Sequence, residues 1–191
     1  FKKVIEDFPL SIFTVFASRE MGNISLLNGE LESAYGFYNK VINNRLTSES
    51  ERNIARYKSA RILFFQNKFG EANNQLTEIK KDLRDNTAND AIEFSMLLNT
   101  ALNDSITLAE YAQAELLAEQ RKFEEAGNVY KSVASNQQSF LINPFARLKQ
   151  AEMELALNNY NDAIPLLESI ADEKETNIFS DKALFLAGNT Y

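Results

Sequence analysis

One pattern recurs four times in this chain, always in the same register, and it restricts the possible folds more than any other feature. The four segments are Gly29-Glu30-Leu31-Glu32-Ser33-Ala34, Asn67-Lys68-Phe69-Gly70-Glu71-Ala72, Arg121-Lys122-Phe123-Glu124-Glu125-Ala126 and Asn158-Asn159-Tyr160-Asn161-Asp162-Ala163. Each is a short polar turn, then an aromatic residue or Leu, then Ala three positions on. Four residues after each Ala comes a large apolar residue (Tyr38, Leu76, Tyr130, Leu167), and three further on a branched aliphatic one (Val41, Ile79, Val133, Ile170). That spacing is one face of an α-helix. Upstream of each turn, Met21-Gly22 with Leu26, Ala60 with Leu63-Phe64, Ala114 with Leu117 and Ala151 with Leu155 mark the apolar face of a preceding helix. Two antiparallel helices joined by a tight turn approach closely only where side chains are small, so the Gly and Ala positions read as the contact line of a hairpin. Leu in place of Ala34 or Ala126 is expected to overpack that line, at about 1–3 kcal/mol.

The expected fold is therefore all-α: antiparallel hairpins at about 12–44, 51–84, 105–136 and 144–171, with partial repeats at 1–9 and 180–191. The Ala positions recur at intervals of 38, 54 and 37 residues. The long interval holds 89–102, a helical pattern with no partner in the hairpin scheme, expected as an extra, inserted helix. Cap signals agree. Asn143-Pro144 offers an Asn cap with Pro in the first turn, and Ser48-x-x-Glu51 reads as a capping box. Asn103-Asp104-Ser105 and Ser180-Asp181 can cap the helices that follow them. Pro165 falls early in a helix, where its ring should crowd the carbonyl of Asn161 and distort the backbone.

Composition removes several functions. With neither Cys nor His, the chain has no disulfide, thiolate zinc site or Cys nucleophile, and lacks the commonest general base. The net charge is −7 and the pI near 4.8. An acidic balance, with no basic run beyond Lys80-Lys81, argues against nucleic acid as a partner and against anionic membrane surfaces. The longest apolar run, Phe8 to Ala17, is interrupted by Pro9, Ser11 and Thr14 and is far short of the roughly 20 residues a membrane-spanning helix needs. No Gly-rich phosphate loop is present. The acidic groups Glu124-Glu125 and Asp172-Glu173-Lys174-Glu175 read as solvated charge rather than as metal or acid–base sites. No cofactor and no metal is expected.

The quoted residues resemble the tetratricopeptide repeat over nearly the whole chain, a pattern of about 34 residues per hairpin. The second helix of each repeat matches well. The first departs from the pattern: the family's Trp is replaced by Ser18, Arg56, Glu110 and Arg147. Phe1, Val4 and Pro9 align with the end of a second helix, and Leu184, Ala187-Gly188 and Tyr191 with a first helix. Both ends are thus expected to cut through a hairpin of a longer array, and the first residue is not the natural start. The elements around Pro9-x-Ser11 and from Ser180 to Gly188 are similar to those of bacterial cell-envelope tetratricopeptide proteins, which implies a periplasmic or envelope setting.

The resemblance implies an α-solenoid with a right-handed superhelix whose first helices line a concave groove. In register, the groove-facing residues would be Arg19, Asn23 and Leu27, then Tyr57, Arg61 and Phe65, then Tyr111 and Glu115, then Leu148 and Glu152. Their charge runs from basic to acidic, which suits a peptide or helix with aromatic anchors and opposite charges at its ends. Equally, Tyr57, Phe65 and Tyr111 could be packing between hairpins. The family's clamp for a terminal carboxylate is incomplete: Arg19 and Asn23 fit, but Lys58 stands where Asn is needed, and Leu108 and Ala112 replace a basic pair. The expected function is a non-catalytic scaffold for a protein or peptide partner. The alternative is a helical accessory region of a larger cell-wall enzyme whose catalytic domain lies elsewhere.

Overall fold

The computed structural model describes residues 1–81, 83–101, 103–173 and 177–190. Among them are eleven α-helices and no strand. They are α1 Lys2–Asp7, α2 Ile12–Leu27, α3 Leu31–Asn43, α4 Glu49–Phe65, α5 Phe69–Ile79, α6 Thr87–Thr100, α7 Ser105–Glu119, α8 Phe123–Ser135, α9 Asn143–Ala156, α10 Tyr160–Ala171 and α11 Ser180–Gly188. A 3-10 turn, Gln137–Ser139, precedes α9. The chain divides into two compact units, 1–98 and 99–191, with the last residues of α6 at the division. In the first unit α1 packs on α2, α2 on α3, α3 on α4 and α4 on α5; in the second, α7 to α11 pack consecutively.

The repeated sequence makes the same turn four times. Gly29, Asn67, Arg121 and Asn158 all have positive φ, near 60–80°. The next backbone N–H bonds back to a carbonyl five residues earlier: Glu30 to Ser25 (2.8 Å), Lys68 to Leu63, Lys122 to Leu117 and Asn159 to Glu154 (2.9 Å each). The left-handed residue itself bonds to the carbonyl three before it, on Leu26, Phe64, Ala118 and Leu155. This paired closure satisfies two carbonyls that a helix end leaves open. Only Gly29 meets the left-handed conformation without a Cβ; Asn is the next most tolerant residue, and Arg121 has neither advantage.

Packing follows the same register. Ala34, Ala72, Ala126 and Ala163, the large residues four positions on, and the branched aliphatic residues three beyond those are all 0% exposed. The small residue seven before each turn residue is buried as well: Gly22, Ala60, Ala114 and Ala151. At Gly22 the reason is explicit, because a Cβ there would lie 2.6 Å from the ring of Tyr38.

Between hairpins, a side chain from the next helix or the loop before it closes the carbonyl of the branched residue. The Thr47 hydroxyl donates to Val41 O (2.7 Å), and Ser180 Oγ to Ile170 O (3.0 Å). The Asn143 amide nitrogen, in the orientation that matches donors to acceptors, reaches Val133 O at 3.1 Å. Two expected caps are corrected by this. The cap position of α9 is Ile142 and that of α11 is Phe179, and the Asn143 and Ser180 side chains turn back to the preceding helix. Ser48 does cap α4, accepting from Glu51 N at 3.3 Å, but the Glu51 carboxylate goes to Arg19 instead of closing a capping box. Asp104 caps α7 through Thr107 N. α10 runs unbroken through Pro165 to Ala171. The unpartnered helix expected at 89–102 appears as α6; Leu102, like Lys174, Glu175 and Tyr191, lies outside the described residues.

Candidate functional site

In the first unit, α2 and α4 are joined by charge. The Arg19 guanidinium makes a forked pair with Glu51 (2.7 and 2.9 Å) and a further contact with Glu20. Asn23 donates to Glu20 (3.0 Å) and accepts from the Tyr38 hydroxyl (3.0 Å). The Asn23 amide, helped by Arg19 and opposed by burial, holds the Glu20 carboxyl below the ordinary carboxylate range. Leu27, on the last turn of α2, is exposed. On α4, Tyr57 stands edge-on to Phe94 of α6, with ring centres 6.0 Å apart, and Arg61 lies 5.3 Å over the ring of Phe65. Tyr57 and Arg61 are half-buried, whereas Phe65 is buried. Arg19, Asn23, Tyr57 and Arg61 are thus partly accessible and Leu27 exposed, whereas Phe65 belongs to the packing.

The second unit differs. Tyr111 and Leu148, placed by register on the lining, are 2% and 1% exposed. Tyr111 packs edge-on to Tyr130 at 5.3 Å, on the second helix of its own hairpin. Both are therefore interior side chains and not contacts for a guest. Glu115 and Glu152 remain half-exposed, held in a chain of charges across α7, α9 and α11. Lys149 lies 3.8 Å from Glu115 and 2.8 Å from Glu152, and Lys182 is 3.6 Å from Glu152. Sequence reasoning passed over Lys149 and Lys182. The signal for Lys149 was its three-residue spacing from Glu152, one turn along the same helix face.

These internal pairs change the electrostatics expected of the lining. Arg19 is matched by Glu51 and Glu20, and the acidic pair of the second unit is matched by lysines. The basic-to-acidic gradient of the bare residue list is accordingly reduced within each unit. Elsewhere, Glu124 and Glu125 are exposed, and Glu173 is tied to Asn177 and Arg147, which together lower its pKa. Asp104, bonded by the Ser139 hydroxyl, is lowered likewise. Among the described residues no group of three acidic side chains is placed to hold a metal ion, and no helix is long and apolar enough to cross a membrane.

No family model matches the chain, and neither the curated proteins nor the solved structures yield a match to it.

Proposed function

We propose that the hairpins of each unit are steps of a tetratricopeptide-like, right-handed α-solenoid, and that the chain is a non-catalytic scaffold holding a partner peptide or helix against its first helices. The observation that carries this is positional. Six residues before each left-handed turn residue stands a polar side chain, Asn23, Arg61, Glu115 or Glu152, half-exposed in every hairpin. Asn23 also accepts from the buried Tyr38 hydroxyl and the two glutamates meet lysines, while the accessible part of each of these side chains supports the reading by offering a partner polar and charged contacts. Hairpins that touch only their neighbours also build extended surface rather than an enclosed cavity. The setting we propose, by resemblance, is the bacterial envelope.

Arg61→Glu tests the reading, because it inverts one accessible charge while leaving Tyr57 braced on Phe94. Proteins captured by the unaltered chain from source-cell extract should be lost with Arg61→Glu, at unchanged helicity. Retention of the same proteins would show that this face is not the contact surface.

A further inference from the structure

We infer that one edge of the second unit docks on a phospholipid surface of zwitterionic headgroups, with Ile106, Phe140, Leu141 and Ile178 inserted among them.

The starts of α7, α9 and α11 lie along that edge. The Thr107 and Ser139 hydroxyls, hydrogen-bonded at 2.7 Å, tie the first turn of α7 to the junction before α9. Near the start of α9, Arg147 reaches Glu173, just past α10, at 2.7 Å, and Ser180 at the start of α11 donates to Ile170 O. Ile106, Phe140, Leu141 and Ile178 stand at these starts and are between 49% and 77% exposed. Leu141 and Ile178 are 37 residues apart, the hairpin interval, and each precedes a buried cap residue, Ile142 or Phe179. Exposure here is thus a property of the repeat. In the first unit Leu46 is likewise exposed at the junction before α4. In the four tight turns, 28–30, 66–68, 120–122 and 157–159, only Leu157 is large and apolar.

Stacking of hairpins does not cover this edge. Hairpins pack through the sides of their helices, whereas these residues sit at helix ends. Phe140 and Leu141 already have a complete hairpin before them, α7–α8, and another after them, α9–α10. A further step of the array would lie beside α11 and leave them bare.

Shape and charge together select the occupant. The four side chains come from three separate helix starts, so they form a row of tips rather than the walls of a groove. A lipid interface accepts such tips at any spacing. Residues 99–191 hold seven Lys and Arg against fourteen Asp and Glu, so the whole net charge of −7 lies in this unit. Asp104 and Asp181 belong to the same helix starts. Anionic lipid within a Debye length, about 8 Å at physiological salt, would be repelled. A zwitterionic headgroup is not, and its phosphate can accept from the first-turn N–H groups of α9 and α11, which no side chain caps. Four partly inserted side chains give shallow, reversible docking.

Flotation of the full chain with phosphatidylcholine–phosphatidylethanolamine vesicles tests this. The chain should float with the vesicles. Phe140→Ser combined with Leu141→Ser should lower its partition at least about tenfold at unchanged helicity, because both residues are exposed. Replacing part of the lipid with phosphatidylglycerol should weaken binding, most of all at low salt. Arg61→Glu, which alters the proposed guest face, should float like the unaltered chain. No flotation with the zwitterionic vesicles, flotation unchanged by the paired substitution, binding that rises with phosphatidylglycerol, or loss of flotation with Arg61→Glu would each overturn the proposal.

Discussion

Two junctions in the first unit leave a second helix and enter the next helix, and they do it differently. From α3 to α4, through residues 44–48, the link is side chain to backbone. Thr47 donates to Val41 O, and the Arg52 guanidinium spans Ile42 O (2.7 Å) and Thr47 O (2.9 Å). The end of one helix thereby fixes the start of the next, and the two helices pack along their length. From α5 to α6, through 80–86, the link is side chain to side chain. Ser95 accepts from Lys80 Nζ and donates to Asn73 Oδ1, both at 2.7 Å, while Phe94 meets Phe64 and Tyr57 edge-on. Asp85 caps Thr87 N and accepts from Asn53. The first kind of junction repeats with Asn143, within the 37-residue interval, and with Ser180 at the start of α11. The second kind accompanies the 54-residue interval. A hairpin step is thus set by capping a spent helix end, whereas an inserted helix is held by whatever polar and aromatic side chains it brings.

If that contrast is right, the hairpin contact line should be the less forgiving of the two. Ala126→Leu forces a larger side chain into a fully buried helix contact and should cost about 1–3 kcal/mol in urea unfolding. Loss below about 0.5 kcal/mol would mean the contact line is loose. Ser95→Ala removes the hydroxyl that joins Lys80 to Asn73 and should cost less, about 1 kcal/mol, because Lys80 is only half-buried and can turn to water. The two together sharpen the comparison. A larger loss from Ser95→Ala than from Ala126→Leu would reverse it.

The helices and their contact line were legible in the sequence because small and large side chains at helical spacing leave few arrangements. Ala34, Tyr38 and Val41, with their counterparts, needed nothing beyond periodicity. The junctions were less legible. Asn143 and Ser180 carry good cap chemistry, but a side chain that can cap its own helix can equally close the preceding one, and only the three-dimensional neighbourhood decides. The candidate contact residues were legible only in part. Register places all ten on one face of the first helices, yet Phe65, Tyr111 and Leu148 are buried, because periodicity does not tell an accessible face from one that a neighbouring helix covers. The ion pairs across helices, Arg19 with Glu51 and Lys182 with Glu152, join residues about thirty positions apart, and no local pattern marks them.

The hairpin register depends on four left-handed turns of one geometry, three of them at residues that are not Gly. Asn67→Gly, Arg121→Gly and Asn158→Gly, each measured by urea unfolding against the unaltered chain, test it most directly. Left-handed backbone costs an ordinary L-residue about 1–2 kcal/mol, while Gly gives back about 0.5–1 kcal/mol through its freer unfolded chain. Arg121→Gly should therefore leave stability level or raise it by up to about 1.5 kcal/mol, with the Asn variants close to neutral. A loss of about 0.5–1 kcal/mol in all three, the ordinary penalty for Gly in right-handed backbone, would contradict the shared turn and the register built on it.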